Sequence, residues 1–260
     1  MLFACMLVLL QPGIVSAGDG SVLYQFSDIN LEIQMDPDLI CFTRNVTSNN
    51  AHLDLIGVDN IEELKSLMKI NHIYLEAVPE DVAYEFIING KDADSNAKDL
   101  NQLSDDELQK EFEAYVSSCD NIDNSSVTEK VTDSSIFKSE RATYFVTDVT
   151  SVSNNNMTIY LRKYYTVMMG KVVTFTVQSN GTQITEMTGL KIQSMVDTAD
   201  YKSIKKSIWE NETLVEIGSS VITLLVPIAI LALIVFVVYR STKKTKKQIA
   251  AEEERLRKKK

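Results

Sequence analysis

Hydrophobic and polar residues alternate with two different periods along residues 18–208. Val22–Phe26 and Ile29–Met35 repeat every second residue, which predicts strands with one buried face. An Asp-Pro-Asp sequence at residues 36–38 interrupts this pattern, and Leu39–Arg44 continues it as another strand. The chain is therefore predicted to open with three strands.

Three later segments have the apolar spacing of an amphipathic helix. The first covers residues 60–71 with Asp59 as its predicted N-cap, and the second runs from the capping box at Ser104 and Glu107 to near Cys119. The third covers residues 184–195. The residues predicted to face the core are Ile61, Leu64, Leu67 and Met68 in the first helix, Leu108, Phe112, Tyr115 and Val116 in the second, and Ile184, Met187, Leu190, Ile192 and Met195 in the third.

Further strands are predicted between and after these helices. Two lie at Tyr74–Val78 and Ala83–Asn89, with Asn89-Gly90 as the following turn. Four more, rich in β-branched and aromatic residues, form a predicted meander at Val127–Phe137, Ala142–Ser151, Met157–Met168 and Lys171–Gln178. The helices do not alternate regularly with strands, so we expect one α+β domain over residues 18–208, built on an antiparallel sheet.

An uncharged apolar segment follows the domain. Ile217–Tyr239 has 23 residues, which reach about 35 Å as a helix and can cross a hydrocarbon core of about 30 Å. The alternative, a buried core helix, would be shorter and interrupted by polar residues. We therefore expect one transmembrane helix at residues 217–239 after a polar stalk at residues 209–216, in which Trp209 lies at the membrane interface or packs against the domain.

Charge on the two sides of the predicted span indicates its orientation. The tail, residues 240–260, has ten basic and three acidic residues, a balance of +7, whereas residues 18–216 carry a balance of −17. Basic residues beside a span stay in the cytoplasm, so we expect the tail inside and the acidic domain outside. The tail serves as a stop-transfer anchor or attracts anionic lipid, and we do not expect nucleic-acid binding.

The N-terminus has features of an export signal. Leu2–Leu10 is apolar and Val15-Ser16-Ala17 is a small-residue pattern, so residues 1–17 are predicted to be a signal peptide. No basic residue precedes the apolar run, so the segment is either uncleaved or begins upstream of this sequence. Cys5 lacks the apolar stretch that a lipidation signal needs. The exported domain then retains Cys41 and Cys119, either as one disulfide or as two thiols.

Several segments together resemble a known family. The opening INLEIQMDPDLICFTR, the later TYFVTDVTS and TIYLRKYYTVMMGKVVTFTVQSNG, and a closing amphipathic helix look like the Mog1/PsbP-like group. More narrowly, they resemble uncharacterised PsbP-like extracytoplasmic proteins of Gram-positive bacteria that carry a signal peptide and one C-terminal span. The resemblance covers most of residues 22–196 and implies an α-β-α sandwich. It supplies no common catalytic residues.

Motifs for catalysis or metal binding are sparse. His52 and His72 do not have the spacing of zinc ligands, and no GxSxG, P-loop or GxGxxG sequence occurs. Residues 92–96 place oxygen ligands at alternate positions as a calcium loop does, but Ala97 replaces the turn glycine and Leu103 the closing glutamate. An acidic loop is the preferred interpretation. We predict no catalytic, cofactor-binding or metal residues, and no cofactor.

Composition and sequons change this picture little. The chain is 45% hydrophobic and 24% charged, which excludes disordered, collagen-like and disulfide-scaffold classes. Sequons at Asn45, Asn124, Asn156, Asn180 and Asn211 would carry glycans in a eukaryotic host, but a bacterial host is favoured.

The preferred hypothesis is a non-catalytic binding or protein-interaction module outside the membrane. Its acidic charge favours a basic or a metal-coated surface, and a partner would bind at the exposed sheet face or the acidic helix at residues 104–119. The alternatives are an envelope-associated hydrolase, which requires a pocket with converging acidic or Ser and His groups, and a single-span sensor, which requires a cytoplasmic partner.

Overall fold

The computed structural model describes residues 15–16, 20–47, 50–58, 60–120, 122–123 and 127–204. Within these ranges, no helix is long and apolar enough to cross a membrane. The predicted stalk, transmembrane helix and tail, and most of the predicted signal peptide, lie outside the described residues.

The described chain is a mixed α+β structure. Its helices are α1 (Ile61–Ile70), α2 (Asp105–Cys119) and α3 (Glu186–Asp197). Short 3-10 helices lie at Ser27–Ile29, Leu53–Ile56 and Leu100–Gln102. The strands are β1 (Val15–Ser16), β2 (Val22–Phe26), β3 (Leu31–Met35), β4 (Leu39–Thr43), β5 (Ile73–Pro79), β6 (Glu85–Asp92), β7 (Ile122–Asp123), β8 (Val127–Lys138), β9 (Thr143–Ser153), β10 (Thr158–Met168), β11 (Lys171–Asn180) and β12 (Asp200–Tyr201).

The strands form two antiparallel sheets. The large sheet has the order β4-β5-β6-β11-β10-β9-β8-β7, and the small sheet has the order β1-β2-β3-β12. The meander β8-β9-β10-β11 was predicted, and its pairing is confirmed. β6 pairs with β11, with Phe86 opposite Val177, and so joins the first half of the chain to the meander.

Different elements pack on the two faces of the large sheet. On one face, residues such as Phe86, Tyr164 and Phe175 pack with Ile33 of the small sheet and Ile192 of α3. On the other face, α1 packs over β4 and β5 through Leu64 and Met68, with Phe42 and Val78 below them. α2 covers a separate region of that face, where Leu108 packs near Phe145 and Val167. Helices therefore lie on both faces of the large sheet.

Helix N-termini follow from the local sequence. The side chain of Asn60, not the predicted Asp59, caps α1 by accepting from the backbone N–H groups of Glu62 and Glu63. The predicted capping box of α2 is confirmed, because Ser104 and Glu107 hydrogen-bond reciprocally.

Some predicted core residues of the helices are exposed. Leu67 of α1 is 50% exposed, and Met187 and Leu190 of α3 are 79% and 60% exposed. The predicted inward face of α3 is confirmed at Ile192 and Met195 and is wrong at Met187 and Leu190. Gly189 and Val196 complete the buried face. Met187 and Leu190 are displaced around the helix from the face that Ile192 and Val196 define.

The predicted turn at Asn89-Gly90 was also wrong. Both residues lie inside β6, where Asn89 pairs with Thr174 and Gly90 with Val173 of β11. The residue at position 90 is glycine because Ile29 packs directly against it, so a close approach rather than a turn explains this Asn-Gly pair.

Neither cysteine of the described domain is in a disulfide. Cys41 lies on β4 and Cys119 ends α2, and both are free thiols. Burial raises the pKa of the Cys41 thiol to about 11, so this thiol is unreactive at neutral pH.

Candidate functional site

The calcium-like loop predicted as a weak alternative does not form a metal centre among the described residues. Asp92 lies at the end of β6, where its carboxylate accepts from the ammonium of Lys171 on β11. No group of three or more potential metal ligands occurs in the described part of the chain.

A groove lies at the end of the large sheet where β5 ends, β6 begins and β11 ends. Its volume is about 600 Å³. The turn between β5 and β6 forms one wall, and the segment from Asn180 to Thr188, which enters α3, forms the other. Clefts of about 300–1,000 Å³ with a few converging polar groups are typical of ligand sites, and this groove falls in that range of volume.

The floor of the groove is formed by three neighbouring strands. It carries Glu76 of β5, Glu85 of β6 and Gln178 of β11. Their strand neighbours Ala77, Phe86 and Val177 are fully buried in the main core, and alternation directs the floor residues to the opposite face. Gln178 stands directly opposite Glu85, whereas Glu76 is paired with Ile87 and so lies diagonally from Glu85.

The two glutamates of the floor lie on neighbouring strands and line the same groove. The Nε2 group of Gln178 donates to Oε2 of Glu85, so Glu85 acts as an acceptor on that side. Burial, together with the neighbouring Glu85 carboxyl, raises the pKa of Glu76 to about 8. Burial and the neighbouring carboxyl group therefore both disfavour a negative charge on Glu76.

The wall formed by the β5–β6 turn contains an unusual backbone conformation. Val82 has a φ of 52°, in the left-handed region that β-branched residues rarely adopt. Its N–H donates to the carbonyl of Pro79 at 2.9 Å, and Asp81 accepts from the N–H of Ala83 at 3.1 Å. The Val82 side chain is 46% exposed at the edge of the groove. The turn therefore presents an apolar side chain on a strained backbone.

The opposite wall is polar and uncharged. Thr185 caps α3 by accepting from the N–H of Thr188, and both threonines line the groove with Asn180 and Gln183. Ser179 donates to the carbonyl of Ala83 at 3.1 Å, which ties the two walls together. No residue lining the groove is basic, so its charge comes from the two glutamates alone.

A second groove, of about 530 Å³, lies beside α2. Tyr115 stacks on Tyr165 with ring centroids 4.5 Å apart, and Phe145 packs against both. Lys98 and Glu107 form an ion pair of 3.0 Å at its rim. Its aromatic rings pack on one another, and its lining mixes the basic residues Lys98 and Lys110 with the acidic residues Glu107 and Glu111. The groove over Glu76 and Glu85, whose charged residues are all acidic, is the better candidate site for a charged ligand.

No sequence motif singles out the residues of this site. Glu76 and Glu85 each follow strand alternation as ordinary outward-facing residues, and Gln178 lies 93 residues beyond Glu85. Only the strand order β5-β6-β11 brings them together, and that order is a long-range property of the fold. The predicted partner surface was the open sheet face and α2, and the groove lies at one end of that face.

Comparison with known proteins gives only distant structural similarity. No protein-family model and no curated protein matches the chain. The solution structure of cyanobacterial PsbP (CyanoP) from Synechocystis sp. PCC 6803 aligns with a TM-score of 0.42 and 8% identity, over 69% of this chain and 91% of that one. A mutant of the protein Mog1 aligns with a TM-score of 0.37 and 7% identity, over 70% of this chain and 95% of that one. At this level of similarity, neither protein's function transfers to this chain.

Proposed function

We propose that this chain is a membrane-anchored extracytoplasmic binding module whose groove takes a basic segment of a partner polypeptide. The observation that carries the proposal is the groove floor, where Glu76 and Glu85 lie together and no basic residue lines the walls. A lysine or arginine side chain would pair with both carboxylates. The module belongs, on this proposal, to the Mog1/PsbP-like group, which its order of strands and helices supports.

The electrostatics of the whole chain favour the same class of partner. Residues 18–216 carry a balance of −17, so a basic segment is attracted and an anionic polymer is repelled. The predicted span at residues 217–239 and the basic tail would keep the domain at the outer surface, where partners are proteins of the envelope.

An envelope hydrolase is a second candidate because the raised pKa of Glu76 suits a proton donor at neutral pH. The geometry supports it less well. A glycosidase places its two carboxyl groups on either side of the bond that it cleaves, whereas Glu76 and Glu85 project side by side from neighbouring strands of the groove floor. The arrangement fits recognition of a cation better than cleavage of a bond.

Site-specific photocrosslinking in intact cells tests the binding proposal. The full chain is produced with benzoylphenylalanine in place of Val82 at the groove or, as a matched control, in place of Val152, an exposed valine on β9. We expect a discrete adduct with a basic envelope protein from position 82 and none from position 152. The same adducts from both positions, or none from position 82, would overturn the proposal.

The charge requirement is tested in the same cells. Glu85→Gln removes the carboxylate that the partner cation would bind, and should abolish the adduct at position 82. Glu129→Gln changes a half-buried strand glutamate that pairs with Lys163 away from the groove, and should leave the adduct unchanged. An adduct that survives Glu85→Gln would show that the partner does not bind through this carboxyl pair.

A further inference from the structure

We propose that the groove beside α2 binds a small zwitterion with an aromatic body, a class to which the free aromatic amino acids belong. This groove shares no lining residue with the groove over Glu76 and Glu85. A ligand bound here would therefore leave the floor that the basic partner is proposed to contact unoccupied.

One stripe of α2 and a neighbouring segment leave the space for the ligand. Four residues of α2 line the groove at spacings of four and three, which places them above one another on the helix: Glu107, Glu111, Ala114 and Ser118. The segment at residues 96–103 contributes another wall. The volume is about 530 Å³, within the range of about 300–1,000 Å³ that small-molecule sites have.

The floor of the groove is apolar and aromatic. It is formed by Phe145 of β9 and by Tyr165 and Val167 of β10. Tyr115 of α2 stacks on Tyr165 with ring centroids 4.5 Å apart, and both tyrosines are half-buried, so part of their surface is open to the groove. Aromatic rings stack on one another or pack edge to face, so this floor suits a planar aromatic group.

The rim provides charges of both signs. Lys98 and Glu107 form an ion pair of 3.0 Å, and Glu107 also belongs to the capping box of α2. Lys110 and Glu111 line the same groove, and within the part of the chain that the structure describes neither side chain forms an ion pair. Lys110 is thus available to a carboxylate and Glu111 to an ammonium group. A ligand that carries both groups matches this rim.

The spacing along α2 matches the size of such a ligand. Glu111 precedes Ala114 and Tyr115 by about one helical turn, which covers about 5 Å along the axis. The head group and the ring of an aromatic amino acid are separated by a similar length. A ligand whose ammonium contacts Glu111 therefore places its ring over the short side chain of Ala114 and beside Tyr115.

Isothermal titration calorimetry of the full chain in detergent micelles tests the site with L-phenylalanine as the probe. We expect saturable binding with a Kd of about 1 mM or tighter, given the size of the ligand. L-phenylalaninamide, which lacks the carboxylate, and N-acetyl-L-phenylalaninamide, which lacks both charges, should bind at least about fivefold more weakly. Only binding that Ala114→Trp abolishes is counted. The absence of saturable phenylalanine binding, or equal binding of the three compounds, overturns the proposal.

Variants of α2 decide whether the ligand lies in this groove. Ala114→Trp fills the groove from an exposed position and should abolish phenylalanine binding, whereas Ser117→Trp adds the same side chain at an exposed position outside the groove and should bind as the wild type does. Phenylalanine binding that survives Ala114→Trp, or that is lost equally in Ser117→Trp, overturns the proposal.

Charge variants test the same site without filling it. Lys110→Gln and Glu111→Gln change exposed side chains, and each should weaken phenylalanine binding about fivefold. Glu113→Gln, an exposed change on α2 outside the groove, should leave the Kd unchanged. Unchanged affinity in both Lys110→Gln and Glu111→Gln would exclude recognition of a zwitterion by this rim.

Discussion

The guanidinium of Arg162 lies directly beneath Gly189 of α3, and its Nη1 atom is 2.5 Å from the position that a Cβ at residue 189 would occupy. Arg162 is held there by Asp148 of β9, which accepts from Nε at 2.6 Å and from Nη2 at 2.7 Å. The hydrogen bonds from Arg162 to Asp148 raise the pKa of the guanidinium further, so the pair stays ionised. α3 approaches the sheet closely because residue 189 has no side chain.

This contact predicts that Gly189→Ala destabilises the domain. Alanine favours a helix over glycine by about 1 kcal/mol, but its Cβ must displace Arg162 from a charged hydrogen-bond pair worth about 1.5–3 kcal/mol. We expect a net loss of about 1 kcal/mol in the free energy of unfolding, measured by urea denaturation of the full chain in detergent.

In a variant that already carries Arg162→Ala, Gly189→Ala should have the opposite effect on the free energy of unfolding. With the guanidinium gone, only the helix preference of alanine remains, so Gly189→Ala should then stabilise by up to about 1 kcal/mol. Equal effects of Gly189→Ala in the two backgrounds would show that the clash with Arg162 is not the cause.

Local sequence predicts most of the helices and strands because their signals are short-range. The capping box at Ser104 and Glu107 and the strand alternation at Leu31–Met35 both lie within a few residues. Two residues of the inward face of α3, Met187 and Leu190, were assigned wrongly, because the side of the helix at Gly189 lies against Arg162 instead. That contact depends on residues 27 positions apart, which periodicity does not report.

The candidate site is harder to predict from the sequence than the fold is. Strand alternation explains Glu76 and Glu85 as solvent-facing residues, and nothing near either residue marks a buried carboxyl pair. The raised pKa of Glu76 arises from burial and from a carboxyl on the next strand, and both follow from tertiary packing. Asn89-Gly90 shows the opposite kind of error. The pair is a strong turn signal in the sequence, but it lies inside β6, where Ile29 packs closely against Gly90.

Gly90→Ala is predicted to disturb the core. A Cβ at residue 90 would lie 2.5 Å from Cγ2 of Ile29, a branched side chain that is 1% exposed. Overpacking of this kind costs about 1–3 kcal/mol, which for a domain of this size lowers the midpoint of thermal unfolding by roughly 2–10 °C. Circular dichroism of the full chain measures the midpoint.

The control for Gly90→Ala is the background Ile29→Ala, which removes Cγ2 and Cδ1. In that background the alanine at residue 90 should cost less than half as much. An undiminished cost would mean that strand geometry, rather than the contact with Ile29, requires glycine here.

Acid stability is predicted to depend on the capping box of α2. The pKa of Glu107 lies at about 2, below its ordinary value of 4.5, because the backbone N–H of Ser104 and the ammonium of Lys98 favour the carboxylate. A carboxyl whose pKa is depressed on folding stabilises the folded state above pH 4.5, and this contribution is lost as pH falls toward 2. Thermal midpoints measured from pH 6 to pH 2 should therefore fall less steeply in Glu107→Gln than in the wild type.

Two variants of α2 separate charge from general helix effects. Glu113→Gln, an exposed change in the same helix, should keep the wild-type acid profile. Ser104→Ala removes the N-cap side chain at all pH values and should cost about 1 kcal/mol at pH 7. A wild-type acid profile in Glu107→Gln would exclude the capping box as the source.

The hairpin between β10 and β11 has a residue that its turn does not favour. Met169 and Gly170 form a two-residue loop with φ values of 52° and 71°, the conformation of a type I′ turn. Asparagine tolerates the left-handed region better than an unbranched apolar side chain, and Met169 is 41% exposed, so little packing is lost on replacement. Met169→Asn should stabilise the domain by about 1 kcal/mol and raise the thermal midpoint by roughly 2–4 °C.

The control is Met157→Asn, at an exposed methionine that does not have a left-handed backbone. This variant should leave the thermal midpoint unchanged. An equal rise in both variants would mean that the gain comes from lost surface hydrophobicity and not from turn geometry.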